Sequence, residues 1–185
     1  RPGKPPPYQV KNAYPNLKLP FPITMEAVPG TNVMLAVIQN RSYAPSSIIR
    51  FEDKPSVDSY KVLHRYEGVA YDFAFHPKFS ENGFLFVGWN DEKRTRITRY
   101  LYRKKPLSLD PTSATDFVSW KHNGHNGAAI DFGLDGFLYV TSGDGSTDSD
   151  VFLNGQRTDS LYAKVLRIDV DKPSEGKPYS IPTDN

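Results

Sequence analysis

The sequence predicts an all-β fold, a β-propeller built from repeated antiparallel sheets of four strands. Three observations predict it. Short runs rich in β-branched and aromatic residues are separated by Pro, Gly, Asn and Asp at close intervals from Ile23 onward. Apolar residues nowhere recur at helical spacing for three turns. One phrase, strand then Pro- or Gly-containing turn then apolar strand, returns as "ITMEAVPGTNVMLAVIQN", "DFAFHPKFSENGFLFVGWN" and "IDFGLDGFLYVTSGDG".

The elements follow in order. Residues 1–22 hold seven of the 16 prolines, so 1–16 reads as an extended linker, with at best an edge strand near "NLKL" where the propeller portion, 17–185, begins. After the first hairpin come "SIIRFED" and "YKVLHRY"; after the second, "RTRITRYLYR" and "ATDFVSW"; after the third, "AKVLRIDVD". The repeat of roughly 50 residues is that of a propeller blade, giving about three to four blades in this length. "GFLFVGW" and "GFLYVTS" are apolar on both faces, as expected of a sheet sandwiched between others. "RTRITRY" alternates instead, so Arg94, Arg96 and Arg99 read as a charged, solvated edge strand rather than a nucleic-acid stripe.

Composition excludes several functions. In 185 residues, 23 Lys and Arg stand against 21 Asp and Glu, a net charge of +2. Such a balance does not support an electrostatic nucleic-acid partner. No apolar run approaches the roughly 18 residues of a membrane span. Cysteine is absent, which removes disulfides, thiolate metal sites and thiol nucleophiles together. Neither a phosphate-cradling glycine loop nor a Gly-x-Ser-x-Gly elbow occurs. The chain starts without a methionine or leader and ends in a turn-like "IPTDN", which reads as part of a longer protein, with open sheet edges that favour association and poor solubility.

The chemistry concentrates in "HNGHNGAAIDFGLDGFLYVTSGDGSTDSD", residues 122–150. A tight turn at "GLDG", with Gly133 opposite Gly136, pairs Phe132 with Phe137, Ile130 with Tyr139 and His125 with Asp144. Opposed residues lie about 4.5–5.5 Å apart at Cβ, so the carboxylate could fix the imidazole's tautomer, as in a general base. Gly124 and Gly127 leave room for a ligand beside it. His122 reads as a loop residue or second ligand-facing group, His76 as a structural hydrogen-bonding residue and His64 as surface. Asp144, Asp148 and Asp150 could gather a hard cation, although their spacing is not that of an EF-hand. Asn40-Arg41-Ser42 fits a glycosylation sequon.

"HNGAAIDFGLDGFLYVTSGDG", "LYAKVLRIDVD" and "YSIPTDN", with "YDFAFHPKFSENGFLFVGW" before them, resemble the glucose/sorbosone dehydrogenase family from about Leu17 to Asn185. The resemblance implies the first part of a six-bladed propeller that uses pyrroloquinoline quinone (PQQ) with calcium. It implies His125 as the general base taking a sugar hydroxyl proton during hydride transfer, Asp144 as its orienting carboxylate, and Glu67 and Asn126 at the substrate. Glu67 stands where sugar-oxidising relatives carry a glutamine. Most quinone-binding residues of the family lie beyond residue 185. A sugar or polyol substrate, a c-type cytochrome acceptor and a secreted or periplasmic location are implied too. A binding propeller without catalysis, presenting loops to a protein or glycan, is the competing expectation. A calcium-dependent lactonase would need a carboxylate cluster in the channel, and none stands out in the sequence beyond the Asp148 loop.

Overall fold

The computed structural model describes residue 3, residues 8–104 and residues 107–185; residues 1, 2 and 4–7 of the expected linker lie outside them. Three antiparallel sheets follow one another along the chain. The first holds β1 (Pro22–Ala27), β2 (Val33–Ile38), β3 (Ser46–Glu52) and β4 (Lys61–Tyr66) in sequential order. In the second are β5 (Val69–Phe75), β6 (Phe84–Asn90), β7 (Arg94–Lys104) and β8 (Leu107–Lys121), again sequential. The third consists of β9 (Gly127–Phe132), β10 (Leu138–Ser142) and β11 (Val165–Ile168). The strand segments of the repeated phrase are where the sequence places them. The third unit has three strands among the described residues rather than four, because after Ile168 the chain makes only the isolated bridges Asp169 to Ser180 and Ser174 to Lys177. No strand forms at "NLKL".

The first strands β1, β5 and β9 lie beside one another, so each sheet is a blade with its first strand innermost. Side chains alternate between two blade interfaces, which explains the two apolar faces of β6. Leu85 and Val87 join Leu35, Val37, Ile48 and Tyr66 between the first and second blades. Phe86 turns the other way, to Ile130, Leu138, Val140 and Ile168 of the third blade. The sheets approach so closely that a Cβ on Gly88 would lie 2.1 Å from the Ala128 carbonyl oxygen. The far face of the first blade, Ala36, Ile38, Ile49 and Phe51, is covered by Tyr14, Leu17 and Leu19. Tyr14 stands edge-on to Phe51 at 5.0 Å and donates its hydroxyl to Asp53 at 2.8 Å.

Phe86 is 1% exposed and touches the rings of Phe117 at 5.2 Å and Phe132 at 5.5 Å. Phe86→Ala is therefore expected to cost about 3–5 kcal/mol in urea unfolding, as for a large aromatic removed from a packed interior. A loss below about 1 kcal/mol would mean that the second and third blades do not depend on this interface.

Strand β7 corrects one expectation. It lies inside its sheet between β6 and β8 rather than at an edge; Arg94 is exposed, but Arg96 and Arg99 are partly buried. Arg96 pairs with Asp91 at 2.5 Å and lies over Trp89, while Arg99 lies 4.2 Å above the Phe84 ring. Alternation alone does not separate an edge strand from an inner strand whose cations are covered by aromatic faces.

Candidate active site at the head of the third blade

His125 and Asp144 meet. Nδ1 of His125 is 3.0 Å from Oδ1 of Asp144, with the imidazole 53% exposed and the carboxylate 15% exposed. The register that brings them together differs from the expected one. The hairpin turn is one residue longer: Gly136 adopts φ 81°, its N–H donates to Gly133 O, and Gly133 faces Phe137. Phe132 therefore faces Leu138, and Ile130 faces Val140. This is a type I turn closed by a left-handed glycine, which adds a residue to the loop. Between Val140 and Ser142 the ladder shifts again, where Ala128 and Ala129 oppose Thr141. Ala128 has φ 78°, and the Thr141 hydroxyl bridges the Ala129 N–H and carbonyl at 3.1 and 3.2 Å. A β-bulge of this kind re-aims the chain by one residue and cancels the shift at the turn.

Above the bulge, two glycines let the chain segments touch. A Cβ on Gly124 would lie 1.9 Å from Ser146 O, and one on Gly143 would lie 2.2 Å from His125 O. His125 N–H donates to Ser146 O and His125 O accepts from Gly145 N–H, so the backbone under the imidazole is held on both sides.

Asp144 is fixed by more than the histidine. Its Oδ1 also accepts the Ser146 N–H at 3.0 Å, and its Oδ2 accepts the Ser146 hydroxyl at 2.7 Å and the Asp150 N–H at 2.6 Å. The Ser146 N–H and hydroxyl, followed by the Asp150 N–H and His125, hold its carboxyl well below the usual carboxylate range. An ionised Asp144 accepts from Nδ1, so the proton of a neutral His125 sits on Nδ1 and Nε2 is the basic nitrogen. Asn154 is buried and donates from Nδ2 to Asp144 O, and Lys164 Nζ in turn donates to the carbonyls of Asn154 and Tyr162.

The other expected site residues fall differently. Asn126 is only 5% exposed; its amide bonds Gly124 O and Asn123 N–H and meets the Tyr71 phenol, bracing its own loop. Glu67 is exposed in the β4–β5 connection, beside a shallow cavity shared with Asp91, Glu92 and Lys93, and at the end of the blades where β5 and β9 begin. Among the described residues no hydrogen bond or ion pair joins it to His125. His122 accepts at Nδ1 from the Asn90 amide at 2.6 Å. His76 is buried, accepting the Lys78 N–H at Nδ1 with Nε2 3.1 Å from Asp171, a structural role. His64 is not a surface residue: it is half-buried edge-on to Tyr66 at 4.5 Å, and burial lowers its basicity. Asp150 accepts the Asn154 and Gly155 N–H groups, so the Asp-rich turn closes on its own backbone.

The fold also gathers carboxylates that reading the sequence missed. Glu26 of β1, Asp72 of β5 and Asp131 of β9 come from the three innermost strands, near enough for charge on one to act on another. Asp72 Oδ2 accepts the Ile130 N–H at 3.0 Å, tying β5 to β9. Aligning "YDFAF" with "IDFGL" would have placed Asp72 and Asp131 at equivalent positions. Among the described residues no three His, Asp or Glu side chains form a metal-ligand group. Burial first, then the charges of Asp131 and Asp72, raise Glu26 above its ordinary value of 4.5. A carboxyl raised on folding binds its proton more readily in the folded chain, so stability falls as pH climbs through that raised value. Glu26→Gln is thus expected to raise Tm at pH 7, with the gain shrinking toward pH 4. A gain equal at both pH values would disconnect it from ionisation.

The family model for glucose/sorbosone dehydrogenase matches residues 21–185. The chain belongs to that family. Among solved structures it resembles the PQQ-bound aldose sugar dehydrogenase of Streptomyces coelicolor, with TM-score 0.65 and 23% identity over 91% of this chain and 52% of that one. The apo-form of the soluble aldose sugar dehydrogenase of Escherichia coli gives TM-score 0.62 and 16% identity over 86% and 48%. These likenesses establish the propeller fold. Hedgehog-interacting protein of Mus musculus is 36% identical over 60% of this chain and 18% of its own length. HIPL1 protein of Arabidopsis thaliana is 28% identical over 60% and 24%. The chain thus spans under a quarter of those curated relatives and about half of the dehydrogenases. No helix among the described residues is long and apolar enough to cross a membrane.

Proposed function

We propose that this chain carries the proton-accepting part of a PQQ-dependent oxidoreductase that acts on a hydroxyl of a sugar or polyol. The observation that carries the reading is the contact between His125 Nδ1 and Asp144, made by a half-exposed imidazole. Nε2 is the atom that takes the hydroxyl proton, and Asp144 stabilises the imidazolium that results. Oxidising an alcohol carbon to a carbonyl also removes a hydride, and PQQ supplies the acceptor for it when bound. The exposed imidazole of His125 fits a base that would work beside such a group, whose anchoring, with calcium, would fall to other parts of the propeller. Asn126 acts on substrate only by shaping the loop under His125, and Glu67, in the connection between the first and second blades, is the polar group that would meet a sugar hydroxyl. A c-type cytochrome as acceptor and an extracytoplasmic setting complete the proposal.

The test is reduction of a dye acceptor by the intact protein supplied with PQQ and calcium, across a panel of aldoses and polyols. Turnover that depends on quinone supports the reading. Quinone bound without turnover on any member, or no quinone bound, overturns it. A second reading, a binding propeller without catalysis, is favoured by one observation: identity to Hedgehog-interacting protein is 36%, against 23% to the Streptomyces dehydrogenase. Silence in the dye assay would favour it.

A further inference from the structure

At the end of the first blade remote from His125, Arg50 of β3 and Lys61 of β4 are directly opposed in the ladder. Like charges facing each other across strands repel. Among the described residues neither side chain forms an ion pair or a hydrogen bond, and Arg50 Nε is buried without a partner. The Tyr102 hydroxyl, on a residue 1% exposed, is likewise buried without a partner and close enough to feel the Arg50 charge. Arg50 and Lys61 are also among the residues lining a cavity of about 480 Å³, together with Lys54, Ser56, Ser59 and Tyr60. Two carboxylates also stand on its wall: Glu52 pairs with Lys54 at 2.5 Å, and Asp58 accepts the Ser59 hydroxyl at 3.0 Å.

We propose that this cavity binds a tetrahedral oxyanion, a sulfate or phosphate group, on the guanidinium of Arg50 and the ammonium of Lys61. Such an acceptor converts a repulsive cross-strand pair into two charge-assisted contacts, with the guanidinium offering a planar fork of donors and the ammonium a point charge. Hydroxyls at Ser56 and Tyr60 are of the type that completes an oxyanion's coordination. The cavity is of a size that takes a small ligand or one saccharide unit. It lies away from the His125 hairpin, so the proposal does not depend on the redox reading.

The experiment titrates the intact protein with sodium sulfate, against sodium chloride at equal ionic strength, and follows heat of binding and the midpoint of thermal unfolding. The expected result is saturable binding that weakens about tenfold or more in Lys61→Met, and similarly in Arg50→Lys, as charge-assisted contacts are lost. Lys172→Met, on the third blade, leaves it unchanged. Lys61 is exposed, so its variant retains the fold even if an Arg50 variant does not. A sulfated disaccharide as competitor distinguishes the sources: displacement of sulfate points to a saccharide-borne group, and no displacement to the free ion. A response that does not saturate, or that is equal in the wild type and Lys61→Met, overturns the proposal.

Discussion

His125→Ala, in protein loaded with PQQ and calcium, is expected to lower turnover on sugar hydroxyls by about 10²–10⁴-fold, the range a positioned acid or base contributes. The unfolding midpoint stays close to that of the wild type. The ring is half exposed and leaves no cavity, and the bonds that hold the segment run through the His125 backbone, which alanine retains. Asp144 loses one donor but keeps the Ser146 and Asp150 groups. Dye reduction in the variant, with and without added imidazole, is the measurement. Partial recovery with imidazole is the signature of a missing base, and unchanged turnover would remove His125 from the mechanism.

The second large effect is expected at a residue with no side chain. Gly124→Ala places a Cβ 1.9 Å from Ser146 O, a distance no structure tolerates, and the flexible tip of a side chain is not there to yield. The segment carrying His125 must move off the segment carrying Asp144. A displacement of about 1 Å at a reacting group can cost on the order of 10²-fold in rate, and turnover in Gly124→Ala should fall by at least that. Amide exchange at Ser146 and Asp150 should quicken while the blade interfaces keep their protection. Wild-type turnover together with unchanged exchange would mean that the two segments are not held in register by this contact.

Much of this was legible in the residues. Alternation and punctuation place the strands of all three units because each strand is half of a hairpin with apolar faces, a local signal. The pairing of His125 with Asp144 was legible as well, but for an incomplete reason. A turn with Gly133 opposite Gly136 gives the right contact only because two departures oppose each other: Gly136 lengthens the turn, and the Ala128–Ala129 bulge restores the count. The turn's true length has a local signature in Gly136, because a two-residue loop of Leu134 and Asp135 would need positive φ at both, but the bulge has none, since an alanine at φ 78° is set by its surroundings. The position of β7 inside its sheet and the burial of His64 depend on which strands flank them, which is tertiary information. Glu26, Asp72 and Asp131 escaped because no stretch of sequence contains all three; they meet only where first strands converge.

The offsetting turn and bulge divide the hairpin into two lengths with separate obligations. Below Ala128 the strands answer to the blade interface, where Ile130, Leu138 and Val140 face Phe86. Above it they answer to the imidazole and its carboxylate. A phase adjuster between them lets the lower length be repacked, or the upper loop be exchanged for another, without either rotating its neighbour out of place. Such a joint is what a scaffold needs if the loops at its head are to vary over one fixed interior.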